Sequence, residues 1–174
     1  NFPHSNPLYQ GSHWNHPFQN PVLAEADVVL VLDSDVPWIP TVSRPRDDAR
    51  IFHIDVDPLK QSMPLWYIPA VQSFRADAAT ALRQLNQGIA ALTIDAARVA
   101  ERRDHFAGLH QQRAAWLAER EKPAEHLTTE YVMARLRAML GEDSIVLNEG
   151  ITNYPEILNH IAPDTPGTFF ASGG

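Results

Sequence analysis

Residues 27–33 read Asp-Val-Val-Leu-Val-Leu-Asp, and this stretch decides the fold class. Five consecutive apolar residues, most of them β-branched, lie between two aspartates, which is typical of a strand buried on both faces of a parallel sheet. Residues 50–57 repeat the pattern, and residues 144–148 and 168–171 predict two further strands. A short strand near residues 68–71 also fits the sequence.

Helical periodicity predicts four helices, at residues 77–89, 93–121, 130–140 and 154–161. Asp77 is the expected N-cap of the first, and Thr128 or Thr129 that of the third. The second is rich in Ala, Arg and Glu with a sparse apolar stripe, so it is expected to lie on the surface. Residues 1–25 are rich in Pro, Asn and His and predict a long loop or a few short elements. Strands alternating with helices indicate an α/β fold.

The composition narrows the classes of function. The 174 residues are 44% hydrophobic and 20% charged, which is typical of a globular protein. The 14 Lys and Arg against 21 Asp and Glu leave a charge of −7, which argues against binding to nucleic acid or an anionic membrane. The absence of cysteine excludes disulfides and thiolate sites. No apolar run is long enough to cross a bilayer, so a cytoplasmic location is expected.

Two turns after predicted strands are candidate binding sites, because ligands of open α/β sheets bind where parallel strands end. Residues 148–153 offer Gly150 for close backbone approach, with Thr152 and Asn153 as hydrogen-bonding side chains. Residues 172–174, Ser-Gly-Gly, form the second turn. The alternative is that each is an ordinary turn without a ligand.

An ordered set of motifs resembles a known enzyme family. The motifs are Asn-Phe-Pro at 1–3, Asn-Pro-Leu-Tyr-Gln-Gly at 6–11, Ala-Glu-Ala-Asp-Val-Val-Leu-Val at 24–31, Ile-Phe-His-Ile-Asp-Val-Asp-Pro at 51–58, Ile-Val-Leu-Asn-Glu-Gly at 145–150 and Phe-Phe-Ala-Ser-Gly-Gly at 169–174. Together they resemble thiamine-diphosphate-dependent enzymes of the acetolactate synthase, benzoylformate decarboxylase and pyruvate oxidase group. The acetolactate-synthase-like branch is the most similar.

The resemblance implies that the chain is a central fragment of a longer enzyme. Residues 1–91 would be the second half of a Rossmann-like middle domain with a parallel sheet, and residues 92–125 a linker helix. Residues 126–174 would begin the domain that binds the cofactor's diphosphate. The parent would be a homodimer or homotetramer that decarboxylates a 2-oxo acid or joins it to a second carbonyl compound.

The resemblance also implies cofactor contacts, to thiamine diphosphate with Mg²⁺ in the parent enzyme. They fall on Gly150, Ile151, Thr152, Asn153, Ser172, Gly173 and Gly174. Relatives often place a small or hydroxylated residue where Ile151 stands, so only its backbone is expected to help. The family's catalytic glutamate and its Gly-Asp-Gly…Asn metal signature do not match any residues here. No catalytic or metal-binding residue is therefore assigned, and the fragment alone is not expected to be active.

Two other functions remain open. A Rossmann-like module that binds NAD or FAD would share the layout of the middle domain, but no Gly-x-Gly-x-x-Gly motif follows a strand. FAD is disfavoured because Asp33 and Asp35 stand where a pyrophosphate would require a cation. The third hypothesis is an interaction module built around the long helix at residues 93–121.

Overall fold

The computed structural model describes residues 2–12, 17–63 and 67–171. In these residues it contains five helices and five strands. The helices are α1 (Pro21–Glu25), α2 (Ala78–Ala90), α3 (Ala96–Arg120), α4 (Thr129–Arg137) and α5 (Tyr154–Ile161). The strands are β1 (Val28–Leu32), β2 (Arg50–Asp55), β3 (Gln72–Arg75), β4 (Val146–Asn148) and β5 (Phe169–Ala171).

The chain divides into two compact units. Unit 1 combines Asn1–Ser12 with Asp95–Gly174, and unit 2 is His13–Ile94. Unit 2 contains a three-stranded parallel sheet in the order β1-β2-β3, and unit 1 a two-stranded parallel sheet of β4 and β5. The α/β class is therefore confirmed as a mixed fold with short parallel sheets. The Rossmann-like assignment stays a prediction.

The core of unit 2 lies on one face of its sheet. Val31 and Ile51 pack there with Trp38 and Ile68. Alternate residues of a strand point to the opposite face, and there Val28 is 55% exposed and Leu30 44% exposed. The expectation that the first strand is buried on both faces is wrong for this structure, because the described residues cover the second face only in part.

The core of unit 1 joins α5 to its sheet. Leu158, Ile161 and Phe169 are buried together, and Val146 packs against them. The neighbouring residues on the strands again point the other way: Leu147 is 71% exposed and Phe170 53% exposed. Like the sheet of unit 2, this one has one well-covered face.

Several local predictions are confirmed by the caps. The Asp77 carboxylate accepts a hydrogen bond from the N–H of Thr80 at 2.8 Å, so it caps α2. Thr128, rather than Thr129, caps α4. Asp95 is the N-cap of α3, and its side chain accepts the N–H of Arg98 at 3.1 Å.

One local prediction is wrong. The third strand is at Gln72–Arg75 rather than at residues 68–71, because Ile68 packs into the core and Ala70 against it, ahead of the strand. Of the alternatives for residues 1–25, a short element is present: α1, whose N-cap Asn20 and early proline give a short helix that apolar periodicity does not reveal.

The units group the chain differently from the domain limits predicted for the parent enzyme. Residues 2–12 lie in unit 1 because they bond to residues far along the chain: the Ser5 N–H donates to Asp164 and the Gln10 side chain to the Phe106 carbonyl. The limits 1–91, 92–125 and 126–174 stay a prediction about that longer protein. Among the described helices, none combines the length and the apolar character needed to cross a bilayer.

Candidate functional site

The two predicted turns follow neighbouring strands. β4 and β5 are parallel, and Asn148 at the end of β4 is paired with Ala171 at the end of β5. The C-terminal ends of β4 and β5 therefore lie at the same edge of the sheet. Ser172, Gly173 and Gly174 lie outside the described residues.

Asn148 and Gly150 fix the shape of the turn after β4. The Asn148 side chain is buried, and its Oδ1 accepts a hydrogen bond from the Gly150 N–H at 2.9 Å. A Cβ at position 150 would overlap Cδ1 of Ile157 and would lie 3.2 Å from Oδ1 of Asn148. Glycine is needed here because the turn packs closely against α5.

The next three residues are presented to solvent at the start of α5. Ile151 is 91% exposed, and Thr152 and Asn153 are also exposed. Asn153 is the N-cap, yet its side chain makes no capping hydrogen bond. The first N–H groups of a helix carry partial positive charge and attract anions. The structure thus brings Gly150, Ile151, Thr152 and Asn153 together in one exposed turn.

In the nucleotide-binding hypothesis, the pyrophosphate would lie near Asp33 and Asp35 of unit 2. This part of the unit contains a cation, Lys60, that the sequence pattern does not reveal. Lys60 Nζ is 2.8 Å from Asp55 Oδ2 and 2.6 Å from Asp35 Oδ1. Burial opposes the charged form of Lys60, but the hydrogen bonds to these aspartates outweigh it and raise its pKa. The charge of Lys60 is thus already engaged by carboxylates, beside an open cavity of about 450 Å³.

A partly buried ionic network joins three elements of unit 1. Arg137 Nη1 and Nη2 each donate to a Glu121 carboxylate oxygen at 2.8 Å. His160 Nδ1 lies 2.9 Å from the same carboxylate, and Arg137 also donates to the His160 carbonyl. The hydrogen bonds from Arg137, with that of His160, lower the pKa of Glu121 against the effect of burial. This network ties the C-terminal end of α3 to α4 and α5.

A second polar cluster lies between residues 2–12, α3 and α5, all within unit 1. The Arg113 guanidinium lies 5.3 Å from the centre of the Tyr9 ring and donates to Asn159 Oδ1 at 2.6 Å. The His4 ring stacks on the Tyr9 ring, and the two ring centroids are 4.2 Å apart. Sequence reasoning missed this cluster and the network, although Phe106, His110, Arg113, Leu117 and Glu121 recur at helical spacing on one face of α3.

We expect His4 to make unit 1 less stable in acid. Burial, followed by the positive charge of Arg113, lowers the pKa of His4 from 6.5 to about 4. The unfolded chain therefore binds a proton that the folded chain does not, and stability falls as the pH drops from 6.5 to about 4. Urea unfolding at a series of pH values measures the free energy of unfolding, which should fall less steeply with decreasing pH in His4→Gln than in the unmodified chain. His126→Gln, at an exposed histidine, should show the same pH dependence as the unmodified chain. The same pH dependence in all three proteins would contradict the assignment to His4.

Among the described residues, no group of three or more His, Asp or Glu side chains is placed to hold a metal ion. No protein-family model matches the chain, and no curated protein matches it.

Proposed function

We propose that this chain forms part of the thiamine-diphosphate pocket of an enzyme that acts on a 2-oxo acid. The family resemblance of the motifs suggests this function, and one observation carries it: the turn at 149–153 and the chain after Ala171 leave adjacent parallel strands. Both stretches carry motifs of the resemblance. The Rossmann-like layout, the Mg²⁺ ion, the 2-oxo acid substrate and a homo-oligomeric parent belong to the same proposal.

The residues of the turn fit an anionic cofactor. Gly150 keeps the turn close to α5, and the backbone N–H groups at the start of α5, where Pro155 has none, are not capped by the Asn153 side chain. In the proposal these groups bind the diphosphate, while Asn148 holds the turn in shape through the Gly150 N–H. Bound thiamine diphosphate supplies the chemistry at the keto group, and these residues supply binding and placement. Ser172, Gly173 and Gly174 belong to the same proposal through the resemblance alone.

The variant Asn153→Asp separates binding from folding. Aspartate is as good an N-cap as asparagine and its charge suits the helix dipole, so the melting temperature should stay equal or rise. The same charge should repel the diphosphate, and we expect the Kd for thiamine diphosphate with Mg²⁺ to rise at least tenfold. Calorimetric titration of the unmodified chain and the variant measures this change.

The control adds the same charge in unit 2. Asn86 is exposed on α2, and Asn86→Asp should leave the Kd unchanged. A chain that binds no thiamine diphosphate at millimolar concentration, or an equal effect of both variants, would contradict the proposal.

Parallel titrations with NAD and FAD test the nucleotide-binding alternative. Binding of NAD without any effect of thiamine diphosphate would favour that alternative.

A further inference from the structure

The open cavity between residues 2–12, α3 and α5 has no part in the proposed function, and it uses none of the residues of the 149–153 turn. From its lining we infer that it binds a small molecule through a single oxyanion group, a carboxylate or a phosphate, with Arg113 as the anchoring residue. Its volume is about 300 Å³, at the lower end of the range of small-molecule sites. The occupant is therefore a small molecule rather than a peptide.

Arg113 is a half-buried cation without a carboxylate partner among the described residues. Its polar contact there is a single hydrogen bond to the neutral Asn159 side chain, and its flat face lies on Tyr9. A guanidinium has five N–H donors in a planar fork that matches the two oxygens of an oxyanion. The other four donors make no hydrogen bond to the described residues.

The contrast with other arginines makes Arg113 distinctive. Arg137, which lines the same cavity, is bound in bidentate fashion by Glu121. The more exposed Arg46 and Arg120 are paired with Asp48 and Glu130. Removing a charge from water is costly unless an opposite charge compensates it. Arg113 is partly removed from water, and no opposite charge among the described residues compensates it. A bound oxyanion would supply that opposite charge.

His4 lines the same cavity. Its Nδ1 is buried without a hydrogen-bond partner among the described residues. Because burial lowers the pKa of His4 to about 4, the ring is neutral at pH 7 and has one N–H to donate. Both His4 and Arg113 rest on Tyr9, which therefore sets their relative position.

The carboxylates of the lining limit the charge of the ligand. Glu121 is neutralised by Arg137 and bound to His160, and Asp164 accepts the Ser5 N–H at 2.7 Å. With Arg113 and Arg137, the lining carries two positive and two negative charges. Such a balance accepts one oxyanion group and disfavours a polyanion such as a nucleoside triphosphate.

The test is a titration of the whole chain with sodium phosphate and, separately, sodium acetate, against sodium chloride at equal ionic strength and pH 7. NMR resonances of the His4 ring and the Arg113 side chain report binding. We expect saturable shifts with phosphate or with acetate at millimolar concentration and none with chloride. Shifts with phosphate alone identify a phosphate site, and shifts with acetate alone a carboxylate site. Equal shifts with all three salts, or none, would overturn the inference.

Two variants and a control locate the site. Arg113→Met removes the cation but keeps an unbranched apolar stem, and it should weaken binding at least tenfold. Arg113→Lys keeps the charge but loses the fork, so it should bind with intermediate affinity. Arg103→Met removes an exposed arginine of the same helix and should bind like the unmodified chain. Undiminished binding by a folded Arg113→Met variant would also overturn the inference.

Discussion

Replacing Lys60 with methionine is expected to lower the free energy of unfolding of unit 2 by about 3–5 kcal/mol, the cost of leaving a buried charge without its partner. Asp55 and Lys60 have side chains 5% and 7% exposed and lie 2.8 Å apart. Without Lys60, the Asp55 carboxylate keeps the hydrogen bond from the Asp57 N–H, and His53 Nε2 lies 3.6 Å from its Oδ2. Lys60 has a φ of +49°, but methionine is equally unbranched, so the substitution changes the charge and little else.

The partner variant should be milder. Asp55→Asn still accepts the N–H of Asp57, and Lys60 still has Asp35 at 2.6 Å. Urea unfolding and hydrogen exchange of the β2 amides measure both variants. Lys122→Met breaks an exposed ion pair with Glu119 and should cost less than about 1 kcal/mol. If Lys60→Met lowers the free energy of unfolding no more than Lys122→Met does, the prediction that the Asp55–Lys60 pair stabilises unit 2 is wrong.

The second large effect is expected for Glu121→Gln, about 2–4 kcal/mol in the stability of unit 1. The Glu121 carboxylate receives both Arg137 donors and lies 2.9 Å from His160 Nδ1, while the His160 side chain is 2% exposed. Glutamine has a single acceptor oxygen, and its amide N–H groups face donors. Hydrogen exchange of α5 amides, with urea unfolding, measures the loss.

The Glu121 effect should depend on pH in a defined direction. Because its hydrogen bonds to Arg137 lower the pKa of Glu121 in the folded state, its contribution is complete above the unfolded pKa of about 4.3. It is lost as the pH falls through the lower folded value. The difference between Glu121→Gln and the unmodified chain should therefore shrink below about pH 4. Glu119→Gln, at an exposed carboxylate, should cost little at any pH.

The secondary structure was largely predictable because it depends on local pattern. The apolar run after Asp27 predicts β1 within one residue at each end, and the Asp77 cap predicts the start of α2. The prediction of burial for β1 was wrong, because Val28 and Leu30 are exposed although their sequence is typical of a strand covered on both faces. Whether a second face is covered depends on elements elsewhere in the fold, and no local pattern contains that information.

The two candidate sites also differ in whether local sequence could predict them. The 149–153 turn was predictable because a strand, a glycine and a helix start follow one another in sequence. The Arg113 cavity was not, because Tyr9 and Asn159 lie 150 residues apart in the chain and meet only after folding. Helical spacing places Arg113 beside Leu117 on the inner face of α3, but it does not show which residues lie opposite.

The docking of residues 2–12 onto unit 1 has a consequence for biosynthesis. Ser5 binds Asp164, 159 positions later, whereas β4, α5 and β5 form a local βαβ segment. At a ribosomal rate of roughly 5–20 residues per second, residues 2–12 wait on the order of 10–30 s for Asp164 to be synthesised. Until then Tyr9 and His4 are open to chaperones and proteases.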